Sequence, residues 1–113
     1  MKSKLFITLT LILALGFTAF AQELKTEKVK VYGECGMCEK RIDKAATSVD
    51  GVTKAEWNKE TKMLEVTYDA TKTNVEKIQT AVSKVGHDTD ATKADDKTYS
   101  SLPECCKYDR PKK

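Results

Sequence analysis

The chain has 113 residues, with 20 basic and 17 acidic side chains, one histidine and four cysteines, for a net charge of +3. Charges of both signs are interspersed, so the chain lacks the strongly basic face of a nucleic-acid binder or a membrane-surface protein. The length allows one small domain.

The first 21 residues read as a segment to be removed. Lys2 and Lys4 form a basic start, residues 5–16 are a run of Leu, Ile, Phe, Ala and Thr, and Ala19-Phe20-Ala21 matches a small-x-small cleavage pattern. A retained anchor would need about 20 apolar residues, and this run is shorter and is followed at once by a polar segment. The expectation is a signal peptide over 1–21, a mature chain starting at Gln22, an exported (periplasmic or secreted) location, and no membrane association after cleavage. No cysteine follows the cleavage site to carry a lipid. The segment holds two of the basic residues and none of the acidic ones, so the mature chain is almost neutral.

Residues 28–32 alternate, with Val29 and Val31 pointing inward, as in a strand with one buried face. From Cys38 the period changes: Cys38, Ile42, Ala45, Ala46 and Val49 form one stripe of a helix, which Asp50-Gly51 ends. Residues 52–57 and 63–68 read as two strands joined by the polar tetrapeptide 58–61, an antiparallel hairpin in which Trp57 and Tyr68 belong to the core. Thr73-Asn74-Val75-Glu76 has the spacing of a capping box. Val75, Ile78, Val82 and Val85 then follow at helical spacing until Gly86 closes the helix. Residues 87–93 read as a last, weakly apolar strand, 94–101 as a polar surface arm, 102–108 as a small patch of apolar and sulfur character, and 109–113 as loose.

The order strand, helix, strand, strand, helix, strand predicts an α+β, ferredoxin-like βαββαβ sandwich: a four-stranded antiparallel sheet with two helices on one face. The domain spans 22–93, with a C-terminal arm over 94–113 carrying a Cys-Cys pair.

The chemistry lies in Gly33-Glu34-Cys35-Gly36-Met37-Cys38. Cys35 falls in the loop after the first strand and Cys38 in the first turn of the helix. Unpaired N–H groups and the positive end of the helix dipole there favour thiolate over thiol, Lys40 and Arg41 add positive charge, and Gly36 lets the loop fold tightly. The expected result is a pair of soft sulfur anions, able to bind a soft metal ion, to exchange a disulfide or to close into one. Topology puts the 58–61 hairpin and the turn after Gly86 at the same end. His87, the only histidine, is read both as an approaching ligand and as a turn residue facing solvent. Cys105 and Cys106 are too close in sequence to pair without strain. The eleven steps from Ala94 to Cys105 span roughly 36 Å when extended, enough to return to the loop. The tail is therefore read both as an arm that joins the site and as a disordered end.

At these residues the chain resembles the heavy-metal-associated domain family, whose members include copper chaperones, the small domains of metal-pumping P-type ATPases and an exported mercury-binding protein. The resemblance rests on the βαββαβ order, the Cys-x-x-Cys whose second cysteine opens the first helix, and Gly86-His87 after the second helix, and it covers about residues 26–93. It implies that Cys35 and Cys38 bind a soft ion. Two departures stand out. The family usually has Met two residues before the first cysteine, where this chain has Gly33, with Met37 expected to fill the same space. The Cys105-Cys106 arm lies outside the family pattern.

Two thiolates in near-linear geometry suit Cu(I) or Hg(II), whereas Zn(II) or Cd(II) would need four ligands, which Cys105 and Cys106 would complete. The function expected is a soft-metal chaperone, scavenger or buffer, with a membrane metal transporter or another metal-binding domain as partner. The alternative is thiol–disulfide exchange by the same Cys-x-x-Cys with Cys105 and Cys106. No nucleophile, base and orienting group stand together, so no enzyme is expected.

Overall fold

A computed structural model describes residues 23–111; the segment read as a signal peptide lies outside the described residues. The strands are β1 (Leu24–Lys30), β2 (Val52–Trp57) and β3 (Met63–Asp69); β1 starts ahead of the alternating run expected over 28–32 and ends at Lys30, so that buried Val31 lies just past it. β3 is central and antiparallel to both neighbours, giving the order β1-β3-β2. The β1–β3 register runs from Leu24 opposite Asp69 to Lys30 opposite Met63, and the β2–β3 register from Val52 opposite Tyr68 to Trp57 opposite Leu64, with an irregularity between Val52 and Lys54. Asn58 shapes the hairpin: its Oδ1 accepts from the N–H of Glu60 at 2.8 Å and of Thr61 at 3.1 Å, an Asx turn that leaves the strands in register.

Helix α1 (Gly36–Thr47) buries Cys38, Ile42, Ala45 and Ala46 of the predicted stripe; it ends ahead of Asp50-Gly51, so Val49 lies beyond it and is only partly buried. Helix α2 (Val75–Lys84) buries Ile78 and Val82. α1 packs on both β2 and α2. The two stripes join Val31, Trp57, Leu64, Val66 and Tyr68 in one hydrophobic cluster. Burial of these side chains, at about 1.5–3 kcal/mol for each of the larger aliphatic ones, is the main force holding the fold.

The cap of α2 lies one residue later than expected. Asn74, not Thr73, is the N-cap, its Oδ1 accepting from the N–H of Lys77 at 2.9 Å, while the Thr73 hydroxyl is buried without a partner. At the other end Gly86 takes φ +111°, and the N–H groups of Gly86 and His87 reach back to the carbonyls of Ser83 and Val82 at 3.1 and 3.4 Å. This is a Schellman closure, which needs glycine at the left-handed position.

The expected fourth strand over 87–93 is reduced to a single antiparallel bridge between Val31 and Thr89. Thr89 ends it: its Oγ1 accepts from the N–H groups of Ala91 and Thr92 at 3.2 and 2.9 Å, and its own N–H donates to the Thr92 carbonyl at 2.9 Å. A hydroxyl that satisfies its own neighbours curls the backbone off the sheet edge.

The tail is also more ordered than its polarity suggests. It holds a short helix, α3 (Asp96–Ser100), and a 3-10 turn (Glu104–Cys106). Leu102, Cys106 and Tyr108 join the main core. No helix among the described residues is long and apolar enough to cross a membrane.

Candidate metal centre

α1 starts where the predicted loop ends. Cys35 is its N-cap, in extended conformation (φ −137°, ψ −178°), and Gly36 is its first residue. Gly36 faces open space and has no left-handed φ, so it is not the residue that lets the loop fold. That residue is Gly33. A Cβ there would lie 2.9 Å from Trp57 Cη2 and 3.3 Å from Cys38 Cβ. Trp57 occupies the space that a side chain at position 33 would need, held by its Nε1–H donating to the Val31 carbonyl at 2.9 Å. Met37 does not fill this space: it is 52% exposed.

The structure brings all four cysteines to one end of the molecule. Cys35 Sγ lies 3.9 Å from Cys38 Sγ and 3.7 Å from Cys106 Sγ. Cys105 Sγ lies 3.9 Å from Cys106 Sγ and 3.6 Å from the sulfur of Met37. The thiol of Cys38 faces the Cys106 carbonyl at 3.9 Å. No sulfur is bonded to another. Cys35, Cys105 and Cys106 form a group whose sulfurs all lie within 4.8 Å of one another.

The two loop cysteines are chemically unequal. No capping hydrogen bond closes on Cys35. The N–H of Cys38 nevertheless favours negative charge on its sulfur, partial burial opposes this, and the N–H of Met37 and the thiols of Cys105 and Cys106 add to it, bringing Cys35 down to about 7. Cys38 is fully enclosed. Burial, with Cys106 next to it, pushes its thiol up to about 11. The expected pair of anions is therefore one thiolate-prone sulfur at the surface and one protonated thiol beneath it. The helix start stabilises charge only where water or peptide N–H groups can solvate it.

His87 does not face solvent. It is fully buried, its Nδ1 is 2.8 Å from the Tyr32 carbonyl, and its Nε2 has no partner. Burial holds its pKa below the ordinary value, opposed by the Tyr32 carbonyl and reinforced by the charge of Arg41. It is not a member of the sulfur group. Its role here is to seat the arm: Tyr108 stacks on it with ring centroids 5.4 Å apart.

Sequence reasoning did not single out the residues that fasten this arm. The Tyr108 hydroxyl donates to the Gly86 carbonyl at 2.7 Å and accepts from the Asp88 N–H at 2.9 Å. Arg110 grips Asp88 with two bonds, Nε to Oδ2 at 2.8 Å and Nη2 to Oδ1 at 2.9 Å, and reaches Asp96 at 2.7 Å. Burial disfavours the Asp88 carboxylate, but the Arg110 fork and the Ala94 N–H outweigh it and hold its pKa below the usual range. Leu102 packs on Gly86, where a Cβ would come within 2.9 Å of it. The apolar character of Leu102 and Tyr108 was a usable signal; Arg110 looks like any basic residue of a polar tail. Lys62 was also missed. From the hairpin its Nζ donates to the Gly33 carbonyl at 2.8 Å and lies 3.9 Å from a Glu34 oxygen, bracing the loop ahead of Cys35.

Comparison with known proteins gives a consistent picture. Residues 34–88 match the heavy-metal-associated domain. The chain is 37% identical over 54 residues to a copper chaperone CopZ of Staphylococcus aureus, covering 48% of this chain and 79% of that one. Among solved structures, a CopZ metallochaperone is 33% identical with a TM-score of 0.56, over 57% of this chain and 98% of that chain. Oxidised MerP from Ralstonia metallidurans is 32% identical with a TM-score of 0.57, over 59% and 94%. The water-soluble region of the P-type ATPase CopA from Bacillus subtilis is 32% identical with a TM-score of 0.57, over 62% and 47%. The family match ends at residue 88, so Cys105 and Cys106 lie beyond it. A chain whose Cys-x-x-Cys opens α1 within this match belongs to the heavy-metal-associated domain family.

Proposed function

We propose that this protein binds a soft metal ion of the Cu(I) or Hg(II) class as cargo and acts as a chaperone, scavenger or buffer in an exported compartment. The observation that carries the reading is the placement of Cys35: a partly exposed sulfur at a helix start, drawn down to about 7, with the Cys38 sulfur 3.9 Å away. A surface thiolate prepared at neutral pH takes a soft cation readily, and where the loop pair alone holds the ion the buried thiol next to it gives up its proton. Relatives described as a copper chaperone, as MerP and as the soluble region of a P-type ATPase support a carrier role. A membrane metal transporter or another metal-binding domain is the partner in keeping with them. The domain division we propose is a signal peptide over 1–21, a metal-binding domain over 22–93 and an arm over 94–113. The protein is read as a carrier and not a catalyst.

The test is competition for Cu(I) against a chromophoric chelator under anaerobic, reducing conditions. Replacing both Cys35 and Cys38 by Ser should lower affinity by more than roughly 100-fold, beyond the cost of disturbing groups that only support ligands, while circular dichroism stays native. Unchanged affinity would overturn the assignment.

A further inference from the structure

The C-terminal arm lies outside the family match, yet it delivers two sulfurs to the loop that holds Cys35. We propose that it completes a three-sulfur site, made by Cys35, Cys105 and Cys106, for a soft d10 cation. This deepens the carrier reading and rests on it: the ion would be held by trigonal thiolate coordination and not by the loop pair alone.

The separations fit that geometry. A metal–thiolate bond of about 2.3 Å places sulfurs around a shared ion at about 4.0 Å in a trigonal arrangement and at about 4.6 Å in a linear one. Cys35 and Cys106 are 3.7 Å apart, Cys105 and Cys106 3.9 Å, and the whole group lies within 4.8 Å. These spacings suit three sulfurs sharing an ion, with little movement required. Exposure indicates the way in. Cys105 is exposed and Cys35 half-buried, so an arriving ion meets them first, while Cys106 forms the floor. Cys38 is as enclosed as Cys106, but its thiol is directed at the Cys106 carbonyl and it is not among the three grouped sulfurs. The thioether of Met37, 3.6 Å from Cys105 Sγ, places a further soft sulfur beside the group.

The group is built and not a chance meeting of a loose tail with a loop. The 3-10 turn Glu104–Cys106 presents both of its sulfurs at the loop. The chain on either side of it is fixed by Leu102 on Gly86, by Tyr108 on His87 and by the Arg110 fork on Asp88. Direct pairing of Cys105 with Cys106 is strained, because neighbouring Cα atoms sit 3.8 Å apart and a relaxed disulfide needs more. Two adjacent thiols facing a third are thus better placed to share an ion than to staple the tail to itself.

The experiment is X-ray absorption fine structure of the reduced protein loaded with one equivalent of Cu(I), read as the number of sulfur neighbours and their distance. The proposal expects three sulfurs in the unmodified protein, and two, with the shorter distance of linear coordination, in the Cys105→Ser, Cys106→Ser double variant, where only the loop pair remains. The measurement on the unmodified protein needs no variant to fold. Two sulfurs there would overturn the three-sulfur site while leaving the carrier reading intact. Three sulfurs persisting in the arm double variant would likewise overturn this trio. Failure of the unmodified protein to take up Cu(I) at all would remove both readings.

Discussion

The ring of Tyr108 stacks on the buried ring of His87, centroids 5.4 Å apart and planes 23° from parallel. His87 belongs to the turn that closes α2 and Tyr108 to the tail, so this contact fixes the arm to the domain at the end where the cysteines lie.

Removing the Tyr108 hydroxyl should loosen that attachment. The hydroxyl satisfies a buried carbonyl at Gly86 and a buried N–H at Asp88. Tyr108→Phe keeps the stack but leaves both unpaired, and should destabilise the protein by roughly 1–3 kcal/mol. Urea unfolding monitored by Trp57 fluorescence measures it; a change below about 0.5 kcal/mol would show that water replaces the hydroxyl without loss.

Acid should weaken the fold through His87. Burial, opposed by the Tyr32 carbonyl and aided by Arg41, holds its pKa below the ordinary 6.5. The unfolded chain therefore takes up a proton near pH 6.5 that the folded chain resists. Its contribution to stability is complete above that pH and declines as pH falls towards the folded value, by at most about 1.4 kcal/mol per pH unit. Unfolding midpoints at pH 7.5 and 5.5 should differ in this direction, and His87→Phe should flatten the difference.

Alkylation should separate the two loop cysteines. Cys35, drawn down to about 7, is protonated and slow below that pH and a thiolate above it. Its rate of reaction with iodoacetamide in the reduced, metal-free protein should rise with a midpoint near 7. Cys38, pushed up to about 11 and enclosed, should remain unmodified at pH 8. Peptide mapping over a pH series reads both. A Cys35 midpoint close to 9 would contradict the influence of the helix start.

Restoring the family's methionine should fail. At position 33 any side chain meets Trp57 at 2.9 Å. Gly33→Met should overpack the floor of the site and cost about 1–3 kcal/mol, seen as a lower thermal midpoint. The double change Gly33→Met, Trp57→Leu should recover part of that loss by opening the space.

The sequence by itself determined the β2–β3 hairpin, the presence though not the bounds of the first strand, the two long helices and the position of the Cys-x-x-Cys at a helix start. Each of these is written in residues two to four places apart: alternation in β3, the Cys38–Ile42–Ala45–Ala46 stripe in α1, Gly86 at the close of α2. Tertiary structure alone decided the rest. The Thr89 turn cut the fourth strand to one bridge because a local hydroxyl competed successfully with a ladder too polar to resist. Burial split two similar cysteines into a thiolate-prone and a protonated sulfur, since charge follows solvation and not spacing. The arm's course was set by Tyr108 on His87 and Arg110 on Asp88, contacts across about twenty residues that leave no period to read. The 3.7 Å between Cys35 and Cys106 follows from those contacts, because sulfurs 71 positions apart meet only when the packing between them is already in place.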